Sequence, residues 1–462
     1  MLQRTAVATA VALTAAGLLP PVTAEDLVPR ASGQASQNMG IAPGAHREGE
    51  VIVAFRDGVD EAEMERVLRS GRAAGARRSR FGPRVLAQLE PGVSVAEAVG
   101  RFSAMPAVAW AEPNGLIGVE QATTFAPNDT LYRFQWNLKQ VNAERTWGIQ
   151  KGVSTVAVAV LDTGVAFEDY TDPVTGQAFR KAPDWGDTRF IPGYDFFNDD
   201  AHANDDRNHG THVASTIAEG TNNALGLAGL AFGCAIMPVK VLGANGVGTF
   251  FALADGIDYA ITYTENGQRP VKVINLSLSS SGFNQTVKSA IDRAVAAGVL
   301  VVAAAGNNGA SSVNFPADQA NVVGVGALNA AKQKAWYSNT GPELDLVAPG
   351  GDCDRDDDGD GTGDCVYQQT LRSSSVQAGR YDDFGYFGLQ GTSMATPHVS
   401  AAAALLFSQG FTDVASVRAA LEKTAERLGG APAGGRNDTF GYGLIQPAAA
   451  LPGYGFNVGT KK

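Results

Sequence analysis

The sequence predicts an α/β fold, a doubly wound and mostly parallel sheet preceded by a small α+β domain. Three observations carry that expectation. Near-continuous Val/Ile/Leu/Ala runs recur at 155–161, 236–242, 271–278, 299–305 and 322–328, as in strands buried on both faces. Helical patterns lie between those runs, and alternation of strand with helix implies right-handed crossovers and a parallel sheet. A separate stretch at 48–114 shows a strand-helix-strand-helix-strand order of its own, the pattern of a compact, ferredoxin-like α+β unit.

In chain order, residues 1–24 read as an export signal. Arg4 supplies the positive charge, 6–19 are apolar, and Val22-Thr23-Ala24 is a small-residue cleavage site. The run is too short to span a bilayer and no other stretch is long enough, so stable membrane insertion is not expected. The product is expected outside the cytoplasm, extracellular or periplasmic. Residues 25–47, rich in Gly, Ser, Ala and Pro, form a linker.

Within 48–114, residues 50–55 alternate as a strand. Asp60 with Glu63 opens a helix through Leu68, and Ser94 with Glu97 opens another through Phe102. Strands are expected at 85–89 and 108–112. A polar, Thr-rich linker at 115–127 leads to the main domain, 128–452, and a tail at 453–462.

The net charge of -11 and pI near 5.0 argue against nucleic acid or an anionic membrane as partner. Of three cysteines, Cys353 and Cys365 flank an acidic run and are expected to pair in an exported protein, with Cys234 left as a buried thiol.

Three motifs carry chemistry. Val160-Leu161-Asp162-Thr163-Gly164 sets a carboxylate where a buried strand meets a Gly turn. Asn208-His209-Gly210-Thr211-His212 starts an apolar helix with a histidine, and Gly391-Thr392-Ser393-Met394-Ala395-Thr396-Pro397-His398 puts a serine at the head of an Ala-rich helix. Singly, the aspartate reads equally as a turn cap, the histidine as a metal site or a cap, and the serine as a helix N-terminal cap. The order Asp, His, Ser is the order of one hydrolase type, and differs from the Ser, Asp, His order of α/β-hydrolases. No Gly-x-Ser-x-Gly elbow is present, which excludes an esterase of that class. His212, His398 and Met394 read as packing residues, and Pro397 as a residue of the first helical turn, where its missing N–H is tolerated.

With these motifs the chain resembles the subtilisin-like serine proteases over about 128–450. Ala304-Ala305-Gly306-Asn307 matches the segment carrying that family's oxyanion-hole asparagine, and 48–114 resembles its inhibitory, fold-assisting propeptide. The resemblance implies a self-processing zymogen of a serine endopeptidase, acting as a monomer on polypeptide substrates, with its own propeptide as intramolecular inhibitor. Asp162, His209 and Ser393 would be the triad and Asn307 the oxyanion donor. Gly246-Val247-Gly248 and Ser277-Leu278-Ser279 match the strands that flank an extended substrate, and Asn314 the base of the specificity pocket. Ser279-Ser280 stand where the family has two glycines, and the rim reads as uncharged. The rival is a catalytically dead relative serving as a calcium-binding module, against which the intact triad and Asn307 speak.

Structural calcium is expected at two places. The run Asp354-Arg355-Asp356-Asp357-Asp358-Gly359-Asp360 has acidic residues at alternate positions and then a Gly, like the start of a calcium loop. The closing Glu of an EF-hand would fall at Cys365, so Asp364 must substitute. The second place rests on resemblance: Thr221-Asn222-Asn223-Ala224-Leu225-Gly226 matches a family calcium loop, with Asn223 as ligand, Asp129 contributing from the N-terminal side and Asp169 a weaker candidate.

Overall fold

The computed structural model of the protein describes residues 46–115, 124–430 and 435–451. The expected export signal, nearly all of the first linker, most of the second, and the tail lie outside the described residues. The chain divides into two compact units, one within 29–121 and one from Ala122 onward.

In the smaller unit, β1 (His46–Phe55), α1 (Glu61–Ser70), β2 (Ala73–Arg78), β3 (Arg84–Leu89), α2 (Val95–Ser103) and β4 (Val108–Gly115) follow one another. The four strands form one sheet in the order β2-β3-β1-β4, antiparallel throughout. This is the β-α-β-β-α-β ferredoxin-like arrangement. Both helix starts are capped as the sequence predicts: Asp60 accepts from the Glu63 N–H (2.8 Å) and Ser94 from the Glu97 N–H (3.3 Å). Strand β2 is absent from the sequence reading, because Ala-Ala-Gly-Ala-Arg-Arg carries neither β-branched residues nor alternation. The first strand begins at His46, two residues before the expected boundary.

The larger unit opens with α3 (Trp136–Gln140) and α4 (Ala143–Ile149). After them come β5 (Ala157–Asp162), the short strands β6 (Tyr170–Thr171), β7 (Ala178–Phe179) and β8 (Tyr194–Asp195), α5 (His209–Ala218) and β9 (Ala235–Lys240). The chain continues through α6 (Phe250–Thr262), β10 (Val271–Leu276), α7 (Gln285–Ala296), β11 (Leu300–Ala304), β12 (Val322–Leu328) and β13 (Leu346–Pro349). It ends with β14 (Val366–Leu371), α8 (Ser373–Gln377), β15 (Phe384–Leu389), α9 (Thr392–Ser408), α10 (Val414–Thr424) and α11 (Pro447–Ala450).

Seven strands make the main sheet, β13-β12-β11-β10-β5-β9-β8, and every neighbouring pair is parallel. The order runs from β5 to β9 on one side and from β10 outward on the other. That reversal leaves a crevice at the carboxyl end of β5, where open α/β sheets hold their sites. Helices α6 and α7 cover one face; α9 crosses β10 to β13 on the other and packs on α5. Helix α9 is buried on every side from Thr392 to Phe407 apart from Ser393, so it is a core element, not a surface helix. No helix among the described residues is long and apolar enough to cross a membrane.

Candidate active site

Close backbone approach brings Asp162 and His209 together. Gly164, just past the end of β5, has φ +97°, and a Cβ there would lie 2.3 Å from the Asn204 carbonyl. A Cβ on Gly210 would lie 2.0 Å from the Gly164 carbonyl, so the start of α5 reaches the strand end only because both are glycine. His209 Nδ1 donates to Asp162 Oδ1 at 2.7 Å. Since Nδ1 faces a carboxylate it carries the proton, which leaves the Nε2 lone pair free.

Asp162 is fully buried and also accepts from the Thr163 N–H (2.7 Å). A second buried carboxylate, Asp205, fixes the same region. It accepts from the hydroxyls of Thr163 (2.8 Å) and Thr211 (2.6 Å) and from the N–H groups of Arg207 (2.9 Å), Asn208 (3.0 Å) and Thr211 (3.0 Å). Burial pulls the His209 pKa down, but the charge and hydrogen bond of Asp162, with Asp205 behind it, outweigh this and leave it raised above its ordinary value.

Ser393 is the second residue of α9, with the helix N-terminus beneath it. Its hydroxyl donates to the Ser277 carbonyl at 3.1 Å. Asn307 Oδ1 accepts from both the N–H and the hydroxyl of Thr392 (2.8 Å each), an orientation that turns Nδ2 outward as a donor. Pro397 is the sixth residue of α9, hence in its second turn and not its first; the bond it cannot make is replaced by a side chain.

Strand β9 stops at Lys240 instead of running to 242, because the N–H groups of Val241 and Leu242 both donate to the Asp162 carbonyl (2.9 and 3.1 Å). The chain then swings away as one wall of a cleft of about 670 Å³, lined by His209, Leu242, Gly246, Val247 and Gly248 on one side and Ser277, Leu278 and Ser279 on the other. Phe250, Leu253 and Phe315 make it largely apolar. Lys240, itself buried, ties the base together: Nζ donates to the carbonyls of Thr163 and Leu242 and to Asp206 Oδ1, each at 2.7 Å. Asn314 Nδ2 reaches Ser279 Oγ at 3.4 Å. Arg207 also lines the cleft, on the side that carries His209.

The neighbouring histidines are buried in packing. His212 Nε2 lies against the carbonyls of Val366 (2.9 Å) and Phe387 (3.2 Å), and burial drives its pKa down to about 3. His398 bonds the Met394 carbonyl and Asn137 (2.9 Å each), and burial lowers it to about 4. Cys234 is a buried thiol, which burial pushes up to about 11.

In the acidic insertion Cys353 and Cys365 form a disulfide (S–S 2.03 Å). Ligand atoms of Asp356, Asp358 and Asp364 lie within 4.8 Å of one another. Burial, and then the charges of Asp358, Asp357 and Asp356, lift Asp364 to about 6, as expected where carboxylates converge. Asp360 turns instead to the Thr362 N–H (2.8 Å), Asp357 pairs with Arg355 (2.7 Å), and Asp354 does not join the group.

At the second locus Asp129 accepts from the N–H groups of Asn222 (2.8 Å) and Asn223 (3.4 Å). Asn223 Nδ2 donates to Asp184 Oδ1 at 2.7 Å, and the Tyr386 hydroxyl to Asp184 Oδ2 at 3.0 Å. Buried Glu219 adjoins Asp184, and its Oε1 has no hydrogen-bond partner. Burial, with the charges of Asp184 and Asp129, raises Glu219 well above the usual carboxylate range. Asp169 is elsewhere, accepting from the Lys181 N–H (2.9 Å). Sequence reasoning missed Asp184 and Glu219. An acidic residue next to the apolar end of α5 was the available signal.

Comparison with known proteins gives a consistent result. The model of the subtilase family matches residues 153–443, and that of the fervidolysin N-terminal prodomain matches 32–114. A thermophilic serine proteinase of Bacillus sp. (strain AK1) is 36 % identical over 418 residues, 90 % of each chain. An extracellular protease of Xanthomonas campestris pv. campestris is 35 % identical over 368 residues, 71 % of this chain and 57 % of the relative. Among solved structures, a protease of Pseudoalteromonas arctica PAMC 21717 aligns with TM-score 0.59 and 31 % identity, covering 70 % of this chain and 98 % of that one.

Proposed function

The chain belongs to the subtilase family of serine proteases, and we propose that it is a secreted endopeptidase that matures itself and cleaves peptide bonds through an acyl-enzyme on Ser393. The observation that carries this reading is the 2.7 Å bond from His209 Nδ1 to buried Asp162, beside a cleft lined by His209 and by Ser277, whose carbonyl accepts from the Ser393 hydroxyl.

In this mechanism Ser393 turns about its side-chain bond from the Ser277 carbonyl toward His209. Nε2 takes the hydroxyl proton as Oγ attacks the scissile carbonyl, forming the C–O bond. Asp162 holds the imidazole in the Nδ1–H tautomer and stabilises the imidazolium. Asn307 Nδ2 and the Ser393 N–H bind the oxyanion, assisted by the α9 dipole. His209 returns the proton to the leaving amine as the C–N bond breaks; a water, deprotonated by the same nitrogen, then releases the acyl group. The substrate adds as a strand between 246–248 and 277–279, giving affinity through backbone bonds.

The 48–114 unit acts as inhibitor and folding aid until the 115–127 linker is cut. Calcium, when bound, would be structural and would supply charge neutralisation where carboxylates crowd. The donor sets fit a hard cation: Asp356, Asp358 and Asp364 in the insertion, and Asp129, Asp184, Glu219 and Asn223 at the loop after α5.

The test is a fluorophosphonate probe on the wild-type chain and on Ser393→Ala, with processing followed by intact mass. Labelling of Ser393 and a stalled Ser393→Ala precursor are expected. An unlabelled wild type would sink the protease reading, and normal maturation of the mutant, with no other protease present, would sink self-processing.

A further inference from the structure

Among the side chains lining the cleft, Arg207 alone carries a permanent charge, and no Asp or Glu lines it. Its guanidinium lies over the turn that begins the first wall. Nη1 donates to the Ala244 carbonyl at 2.9 Å, and a Cβ on Gly246 would fall 2.9 Å from Cζ and Nε. The carboxylates next to it in sequence are committed elsewhere. Asp205 binds Thr163, Thr211 and the N–H groups around it, and Asp206 pairs with Lys240 (2.7 Å). Among the described residues no carboxylate is paired with the Arg207 guanidinium. A five-donor fork with one backbone partner, on the wall of an otherwise neutral groove, has capacity left for a planar anion.

We propose that Arg207 is a specificity residue that selects an acidic side chain on the substrate, at the second residue on the acyl side of the scissile bond. The position follows from strand geometry. A strand held between the two walls alternates its side chains. If the first residue turns toward Asn314 and Ser279, the second turns toward the wall that carries His209, Leu242 and Arg207. A Glu there meets the guanidinium under the cover of the substrate's own backbone, where solvent screens the pair less than on a bare surface. A Lys in the same place faces a fixed like charge.

The inference rests on the protease reading, and the experiment separates the two. Peptides matched except for Glu, Gln or Lys at that residue are cleaved by the self-processed enzyme and by its Arg207→Gln and Arg207→Glu variants. The wild type is expected to favour Glu over Gln by about five- to twentyfold in kcat/KM at low salt, shrinking as salt is raised. The ratio should collapse toward one in Arg207→Gln, and Lys should become preferred in Arg207→Glu. Efficient cleavage with equal Glu and Gln rates, an acid preference at another position, or a preference that survives Arg207→Gln would overturn it. No cleavage of any peptide, together with no label on Ser393, would instead overturn the protease reading.

Discussion

Ser277 and Ser393 hold each other through two hydrogen bonds of opposite sense: the Ser393 hydroxyl donates to the Ser277 carbonyl (3.1 Å), and the Ser277 hydroxyl donates to the Ser393 carbonyl (2.8 Å). The second bond exists because Pro397 is four residues beyond Ser393 and has no N–H to close the helical bond. A proline in the second turn of the central helix thus frees a buried carbonyl, and the end of a neighbouring strand takes it.

Ser277→Ala should leave that carbonyl unsatisfied, at a cost of about 1–3 kcal/mol, with kcat reduced because the nucleophile's backbone is no longer tied to the cleft wall. Adding Pro397→Ala supplies the missing N–H. In a double-mutant cycle measured by urea unfolding of covalently inhibited enzyme, the Ser277→Ala penalty should shrink in the Pro397→Ala background. Equal penalties in both backgrounds would remove the link between the proline and the serine.

Asn307→Ala should lower kcat about 10²–10³-fold, the size known for the corresponding residue of subtilisin, with KM little changed. Asn307 also accepts from Thr392, and the alanine variant loses those two bonds as well. Asn307→Asp keeps the acceptor and puts a carboxylate where the amide donor stood. Single-turnover acylation as slow in Asn307→Asp as in Asn307→Ala assigns the effect to the donor; normal acylation in Asn307→Asp contradicts it.

The acid limb of kcat/KM follows His209, which works only when neutral. Its pKa is raised, so activity should be half lost at a pH above the ordinary value of about 6.5. The charged or titratable groups acting on it are Asp162 and Asp205, which raise it, and Arg207, which lowers it. Arg207→Gln should therefore move the limb to still higher pH, read on a neutral substrate. A limb that stays put, or moves down, would separate Arg207 from His209 electrically.

Stability should fall in acid for a different reason. His212 and His398 are buried and neutral, with pKa values near 3 and 4, whereas in the unfolded chain each titrates near 6.5. Below pH 6.5 the unfolded state binds more protons, so their contribution is complete above that pH and is lost progressively toward pH 4 and 3. The slope is about 1.4 kcal/mol per pH unit for each. Imidazole resonances of both that do not titrate down to pH 5, with a falling urea midpoint over the same range, are the expected result.

Legibility in the sequence followed the range of the physics. Asp162, His209 and Ser393 stand out because close backbone approach forces small residues beside them, and Gly164 and Gly210 are visible as letters. Five of the seven strands of the parallel sheet are visible because burial on both faces makes them uniformly apolar; β8 and β13, at two and four residues, are too short to show such a run. Strand β2 has no such demand, being half exposed and paired on one side only. Asp184 and Glu219 could not be joined by reading along the chain: they are 35 positions apart and meet only when the loop after β7 folds back on the end of α5. Arg207 was hidden by a motif that draws the eye to His209.

Calcium should raise the unfolding midpoint of the inhibited, mature enzyme, and the two loci should be separable. In the insertion three carboxylates face one another with the chain closed by the Cys353–Cys365 bridge, so the charges cannot move far apart. At the other locus Asp129, Asp184 and Glu219 crowd in a buried region, with Glu219 Oε1 unpartnered. A divalent cation relieves both, and binding only to the folded state adds about 2.7 kcal/mol at a hundredfold excess over Kd. For a domain of this size that is a shift of several degrees between millimolar calcium and chelator. Asp356→Ala with Asp358→Ala should remove the insertion's share, and Asn223→Ala that of the loop after α5. Glu219→Gln gives the sharper reading of the second locus: burial and the charges of Asp184 and Asp129 already oppose ionisation of Glu219, so the neutral amide should be no less stable in chelator while weakening the response to calcium. An unchanged midpoint for wild type would remove calcium from the account altogether. A Glu219→Gln protein that is less stable in chelator and responds normally to calcium would show that Glu219 serves packing and not the ion.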